Sequence, residues 1–483
     1  MRSSDSAVTL RSWWDGGWQR GAASVFERSN PARPGELIAK VESADAAQVE
    51  ESIQAAAAAA ATWGRTPIAE RCAVLARAAD WLDARCDLIG VELSREEGKV
   101  AAEAVGEVRR TVQILRYFAG QSSRAFGELL PTEGFGNQAA VIDCPVGTIG
   151  VITPWNFPLA IPAWKIAPAL AFGNTVVWKP ASHVPLLSAR FMEALISSGL
   201  PRGVVSMVYA RGELASLIAR SPLIDAVTFT GSNDVGNRLI ALCGQDARPI
   251  QAEMGGKNAL IVADDADLIR AADALVVGAF SGNGQKCTAT ARVLVIESVA
   301  ADFAELVRSR VKALMVGDPL EVRTNVGPVV SEVDQERIQA VLADSQAEGA
   351  TCLASAAPSA DEGWYVAPTV LETDDRTSRL WSQEIFGPVV AMVTVGSLDE
   401  AIREANSTEY GLIASVFTQN LRNVQTAVNE LEVGMLAING ATTGGYPHVP
   451  FGGWKKSGYG PKEQGQAAKE FFSRSKSVYV QSM

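Results

Sequence analysis

The sequence predicts an α/β protein of two domains, each a largely parallel sheet covered by helices on both faces. Three observations lead there. The chain has 483 residues, more than one hydrophobic core organises at roughly 150 residues per domain. Short apolar runs alternate with helical stretches between residues 138 and 254, the pattern of repeated β-α-β units. A second series of the same kind follows Gly256.

In chain order, residues 44–86 favour helix, and the seven consecutive alanines at 55–61 lose almost no side-chain entropy on folding. Residues 71–118 continue with apolar positions at helical spacing, among them Leu75, Ala78, Ala79 and Leu82. These helices need a sheet to cover. Its strands are predicted at 141–153, 175–178, 204–209, 226–230 and 250–254, with a helix around Leu187, Phe191 and Leu195 that stops at Gly199. The second series places strands at 259–262, 293–296, 389–395 and 413–417. A boundary at 254–256 sets a cleft between the domains, where ligands tend to bind. One Gly-x-Gly-x-x-Ala match, at 134–139, precedes a strand instead of following one and reads as a turn.

Composition narrows the function. Apolar residues make up 47% and charged residues 20%, the usage of a folded globular chain and not of a disordered one. With 43 basic against 54 acidic residues the formal net charge is −11, and no Lys/Arg-rich run faces a phosphate backbone, so nucleic acid is not an expected partner. Residues 1–18 lack the apolar core of a secretory signal, and no segment reaches the ~18 uninterrupted apolar residues of a membrane helix. No membrane partner and a cytoplasmic location are expected. The six cysteines (Cys72, Cys86, Cys144, Cys243, Cys287 and Cys352) include no Cys-x-x-Cys pair, the usage of free thiols in a reducing compartment, and no metal is expected. Only His183 and His448 are available for a His-based metal site or a Ser-His-Asp triad.

Three residues stand out chemically. Cys287 ends the polar, glycine-rich segment Ser281-Gly282-Asn283-Gly284-Gln285-Lys286 and enters an apolar strand. Free cysteines are usually buried and inert, but glycines and the adjacent Lys286 suggest an accessible, electropositive setting in which a thiolate forms. Glu253 closes an apolar strand before Gly255-Gly256 and reads either as a general base with a raised pKa or as a plain strand end. Asn156 lies between Pro154 and Pro158, whose rings fix φ; it reads as an oxyanion donor or as a turn residue.

The combination is more specific than its parts. Pro154-Trp155-Asn156-Phe157-Pro158, Trp178-Lys179-Pro180, Phe229-Thr230-Gly231-Ser232, Glu253-Met254-Gly255-Gly256-Lys257, Gly284-Gln285-Lys286-Cys287 and Glu384-Ile385-Phe386-Gly387-Pro388 follow one another along nearly the whole chain. Their order, with 34 positions from Glu253 to Cys287 and 97 from Cys287 to Glu384, resembles the aldehyde dehydrogenase superfamily. That resemblance implies two Rossmann-like α/β domains with an intersubunit β arm. The dinucleotide-binding domain would take 1–126 and 146–253, the catalytic domain 254–456, and an oligomerisation arm and tail 127–145 and 457–483, joining a homodimer or homotetramer.

The resemblance also implies roles. Cys287 attacks the aldehyde, Asn156 and the Cys287 backbone N–H hold the oxyanion, and Glu253 activates the water that releases the acid. Lys165 and Glu463 resemble a proton-relay pair. NADP or NAD would lie along Thr153, Pro154 and Trp155, with Lys179 at the adenosine ribose, Gly231 and Ser232 at the phosphates, and Glu384 and Phe386 at the nicotinamide end. Ser182 stands where many NAD-preferring relatives carry a glutamate, so a 2′-phosphate is not repelled. Phe157, Trp164, Thr288, Tyr446 and Phe451 would line the substrate tunnel, or serve as ordinary packing. Residues 161–168, 284–290 and 457–465 look like the 2-oxoglutarate semialdehyde (2,5-dioxovalerate) dehydrogenase branch, and Lys286 would then attract the substrate carboxylate or remain solvated. An aromatic aldehyde is the alternative substrate; a cysteine esterase or a non-catalytic structural protein are the alternatives of another class.

Overall fold

The computed structural model describes residues 7–124, 127–133, 136–212, 214–360 and 362–481. Two large sheets dominate. The first has eight strands in the order Gly458–Tyr459, Ile250–Glu253, Ala226–Thr230, Thr148–Ile152, Thr175–Lys179, Val205–Met207, Ser12–Trp14 and Gly17–Gln19. Its five central strands are mutually parallel, and every residue of Thr148–Ile152 and Ala226–Thr230 is buried. Burial on both faces is why these strands read as continuous apolar runs without alternation.

Helices cover both faces. Leu75, Leu82 and Leu115 pack with Ile149, Val176 and Trp178 on one side, and Val49 and Ile53 with Val177, Val227 and Ala252 on the other. The alanine run lies in the helix Ala46–Arg65, opened by a capping box in which Asp45 accepts from the Gln48 N–H at 2.9 Å. The predicted continuous helix breaks at Thr66, because Pro67 has no N–H to give and restricts the residue before it; Ile68–Asp83 then starts afresh.

The second sheet has seven strands in the order Thr351–Ser355, Thr369–Glu372, Val389–Val395, Thr290–Ile296, Asn258–Val262, Ile413–Phe417 and Met435–Ile438. All its pairings are parallel except the first. A third, smaller sheet joins Ser473–Val480, Gln138–Pro145 and Gly127–Leu130. The single strand expected at 141–153 is therefore two, Gln138–Pro145 and Thr148–Ile152, separated at Gly147 (φ 137°), where a Cβ would collide with the Asp225 carboxylate. Gly134 and Phe135 of the Gly-x-Gly-x-x-Ala match lie outside the described residues, as do Met1 to Ser6.

The C-terminal part of the chain returns twice to the first sheet. Gly458–Tyr459 runs antiparallel to Ile250–Glu253, setting Gly458 opposite Glu253. The buried Asn174 makes the second tie: its Oδ1 accepts from the Val146 and Gly147 N–H groups, and its Nδ2 donates to the Ala169 and Phe472 carbonyls. Asn174→Ala removes the partner of the Val146 and Gly147 N–H groups and of the Phe472 carbonyl, the Ala169 carbonyl keeping the backbone N–H of residue 174, and a loss of about 2–4 kcal/mol of stability is expected, read as a lower urea midpoint with an unchanged denaturant slope.

Candidate active site

The Cys287 loop is pinned from both sides before any chemistry begins. Gly282 (φ 58°) and Asn283 (φ 57°) take left-handed conformations, which an asparagine adopts only with local compensation. Asn283 supplies it: Nδ2 donates to Gly98 O and Pro328 O at 3.0 and 2.8 Å, and Oδ1 accepts from Gly327 N at 2.7 Å. Glu103 accepts from the Gly282 N–H at 2.7 Å, and the Gln285 side chain accepts from Val330 N at 3.0 Å. Asn258 Nδ2 reaches the carbonyls of Cys287 and Ala289 at 2.7 and 2.8 Å. Asn156 Nδ2 donates to Gln285 O at 3.0 Å, which brings the predicted amide to the cysteine loop with its second N–H in reserve.

The thiol itself does not meet the sequence expectation. Burial, followed by the charges of Glu384, Glu253 and Glu463, pushes Cys287 up to about 12, so the resting group is a thiol. Lys286 does not offset this: its ammonium is bonded to the Ser281 hydroxyl, and burial draws it down to about 8. Glu253 is buried, with Oε2 lacking any hydrogen bond, and its carboxyl is held well above the ordinary range by burial and then by Glu463. Glu463 is paired with Lys165, which also donates to Thr228 Oγ1 at 2.9 Å. Gly452 passes so close to Glu253 that a Cβ there would sit 2.6 Å from its Oε1.

Cys287 lies on the wall between two cavities. The first, about 360 Å³, is lined by Phe157, Trp164, Phe451, Lys286 and Thr288 among others; the Trp164 and Phe451 rings sit 5.8 Å apart. Tyr446 does not line it. The backbone turns at Gly444 (φ 111°), Gly444 and Gly445 form that wall, and the Tyr446 ring is exposed beside His448.

The second cavity, about 470 Å³, follows the C-terminal ends of the first sheet's strands. Thr153, Pro154, Trp155, Lys179, Gly231, Ser232, Glu384 and Phe386 all face it. Its features suit an elongated, phosphate-bearing dinucleotide. Helix Asn233–Gln245 begins there behind Ser232 and offers the partial positive charge of a helix N-terminus. Lys179 makes no ion pair among the described residues, burial lowers it to about 8, and the buried Thr230 hydroxyl has no partner. Glu384 accepts from Gly256 N at 2.9 Å and is raised by burial to about 7, while a Cβ at Gly255 would overlap its carboxylate. Phe386 holds a left-handed φ of 54° and meets Trp155 edge to face at 5.6 Å. Ser182 faces a separate basin that meets this cavity at Gly212.

Residues 18–478 match the aldehyde dehydrogenase family. The chain belongs to that family. It is 37% identical over 478 residues to alpha-ketoglutaric semialdehyde dehydrogenase of Bacillus subtilis, covering 98% of each chain. It is 36% identical to 2,5-dioxopentanoate dehydrogenase of Saccharolobus solfataricus, covering 96% of this chain and 97% of that one. Betaine aldehyde dehydrogenase from Staphylococcus aureus in complex with NAD+ superposes with a TM-score of 0.94 at 29% identity, over 98% of this chain and 95% of that one. The fold is thus a Rossmann-like dinucleotide-binding domain joined to a catalytic domain, and the activity is NAD(P)-dependent oxidation of an aldehyde.

Several residues at this family's site are not ones that the sequence singles out. Asn258, Asn283 and Gln285 carry no reactive group, yet they place the cysteine. Lys99 and Glu107 form a buried pair at 2.6 Å; Lys99 donates to Asn156 O at 2.8 Å, and Glu107 accepts from Leu159 N at 3.0 Å. Neither stands out in the sequence, because Glu96, Glu97, Glu103, Arg109 and Arg110 surround them with further charges; only burial, which requires a charge to be paired, distinguishes the two. Because the free-enzyme thiol titrates far above neutrality, alkylation of Cys287 in cofactor-free protein should accelerate about tenfold per pH unit from pH 7 to 10. Intact-mass kinetics with iodoacetamide would show this, and a plateau near pH 8.5 would contradict the carboxylate environment described here.

Proposed function

We propose that this chain oxidises a small carboxylated semialdehyde, such as 2-oxoglutarate semialdehyde, to the acid, with Cys287 as nucleophile. The observation that carries the reading is that Cys287 borders both cavities. Glu253, its carboxyl raised by burial, takes the thiol proton, gives it up to solvent, and as a carboxylate again takes that of the hydrolytic water. Sulfur adds to the aldehyde carbon, and the Asn156 amide and the Cys287 N–H stabilise the oxyanion. When bound, the dinucleotide supplies the hydride acceptor. Asn156, Lys165, Glu253, Cys287 and Glu463 are the catalytic set, and water attack on the Cys287 thioester frees the product. No histidine lines either cavity among the described residues, which disfavours a cysteine esterase.

The substrate reading rests on the relatives' names and on charge. Lys286, Arg110 and Lys99 line the substrate cavity with the carboxylates Glu103 and Glu107; Glu107 pairs with Lys99 and Glu103 accepts from the Gly282 N–H, so cations exceed carboxylates, three to two. A substrate carboxylate meets cations there, while the Phe157, Trp164 and Phe451 rings favour the alternative, an aromatic aldehyde. For the cofactor, the basin beyond Gly212 carries Ser182, Arg211 and Lys40, and the one carboxylate among its described lining residues, Glu27, is paired with Lys40 at 3.2 Å. That setting accepts a 2′-phosphate, so NADP is used at least as well as NAD. Residues 1–126 with 146–253, and 254–456, are the corresponding domains; 127–145 with 457–483 join a homodimer or homotetramer through the small sheet, where Leu129 and Tyr479 are exposed.

Three measurements test this. A panel of aldehydes with NAD and NADP, followed by reduced-cofactor absorbance, should rank 2-oxoglutarate semialdehyde among the best by kcat/KM; preference for aromatic aldehydes reverses the assignment. Cys287→Ala should abolish turnover, whereas Glu253→Gln should keep a burst of reduced cofactor and stall release. Lys286→Met should raise KM about tenfold for a carboxylated aldehyde but not for an uncharged one of equal length, and Arg211→Ala should do the same for NADP and not for NAD, each shift being the loss of one charge-assisted contact.

A further inference from the structure

Strands Ala226–Thr230 and Ile250–Glu253 are parallel neighbours in which Thr228 stands beside Gln251 and Thr230 beside Glu253. Residues two apart on a strand share a face, so Gln251 lies on the Glu253 side of the sheet while Ala252 packs into the opposite core. Thr228 and Gln251 are both completely buried. Polar groups so placed need a reason.

Their hydrogen bonds form a closed ring. Gln251 Nε2 donates to the carbonyls of Pro461 and Lys462 at 3.0 and 3.2 Å. Thr228 Oγ1 donates to Gln251 Oε1 at 3.0 Å, and Lys165 Nζ donates to Thr228 Oγ1 at 2.9 Å. Lys165 also pairs with Glu463, next along the chain from Lys462. The polarity has one solution. Flipping the Gln251 amide would aim its oxygen at two carbonyls, three acceptors with no proton among them. The amide is therefore fixed, Thr228 must give its proton to it, and only a Thr228 lone pair is left for Lys165.

We infer that Thr228 and Gln251 are positioning residues for deacylation, holding Lys165 as a fixed donor and Glu463 at a set distance from Glu253. The inference rests on the proposed role of Glu253 in thioester hydrolysis. The charged groups that bear on Glu253 are Glu463 and, with opposite sign, Lys165 and Lys462; Cys287 feels Glu253, Glu463 and Glu384. The ring sets the first two of these. Lys165 charge lowers both carboxyls, so a Lys165 released from Thr228 lets them rise, and the base is lost at higher pH.

The test compares Thr228→Val, Gln251→Leu and Thr228→Ser in the full-length protein with NAD(P) and aldehyde. Thr228→Val and Gln251→Leu should keep the burst of reduced cofactor and lower steady-state kcat about tenfold. Their acidic limb of kcat against pH should move up by about one unit, with KM unchanged. Thr228→Ser retains the hydroxyl and should behave as the parent chain. A lowered kcat whose acidic limb stays in place, or a Thr228→Ser no better than Thr228→Val, overturns the inference, as does parental kinetics in Thr228→Val. If Gln251→Leu fails to fold, the nearly isosteric Thr228→Val and its Ser counterpart decide alone. Loss of the burst together with steady-state turnover in Glu253→Gln would instead remove the reading of Glu253 as the deacylation base.

Discussion

A sulfur atom that must face two cavities at once cannot sit on a loose loop. The loop before Cys287 is anchored by Asn258 from the second sheet, by Asn156 from the first and, through Asn283, by the backbone at Gly98, Gly327 and Pro328. These are amide side chains, and the choice is physical. An amide both donates and accepts, so one residue can bridge several strained peptide groups without bringing a charge near a thiol already crowded by carboxylates. Left-handed Asn283 is tolerated because its side chain ties three backbone groups, and Gly282 because it has no Cβ.

The electrostatics around the thiol are a consequence of burial. Glu253, Glu384 and Glu463 come from three distant parts of the chain, and each is raised by its removal from water. The partners that moderate them are themselves buried: Lys165 for Glu253 and Glu463, Lys257 for Glu384, with Lys257 pulled down to about 7. Glu384, raised to about 7, and Lys257 lie near the balance between charged and neutral forms, a setting suited to passing protons. The free enzyme accordingly keeps its nucleophile protonated.

What is local is legible in the sequence. The strands Ala226–Thr230, Val389–Val395 and Ile413–Phe417 can be bounded from their largely apolar runs, since parallel strands buried on both faces carry few polar positions, here Thr228, Thr230, Thr394 and Ser415. Thr351–Ser355, at one edge of the sheet and partly exposed, carries no such run and escapes a reading by pattern. In the site, the motif residues converge, but the state of Cys287 differs from expectation because Lys286 is adjacent in sequence and the three carboxylates are not. Tyr446 departs for a similar reason: its aromatic identity is visible in the sequence, and the turn at Gly444 is not. The alternations Thr228-Phe229-Thr230 and Gln251-Ala252-Glu253 display period two, yet which face is enclosed depends on helix Ala160–Ala171 and on residues beyond 450.

Pairing of Gly458–Tyr459 with the strand that ends in Glu253, together with the mutual backbone bonds of Phe451 and Glu463 at 2.7 Å, has a temporal side. Synthesis proceeds from the N-terminus, and the two β-α-β halves can collapse while the ribosome is still at work. The pocket wall at Phe451 and the lysine's carboxylate partner Glu463 emerge after the strands of both halves. A nascent chain stopped short of them would be largely shaped, yet its sulfur would lack part of the shell that keeps it protonated.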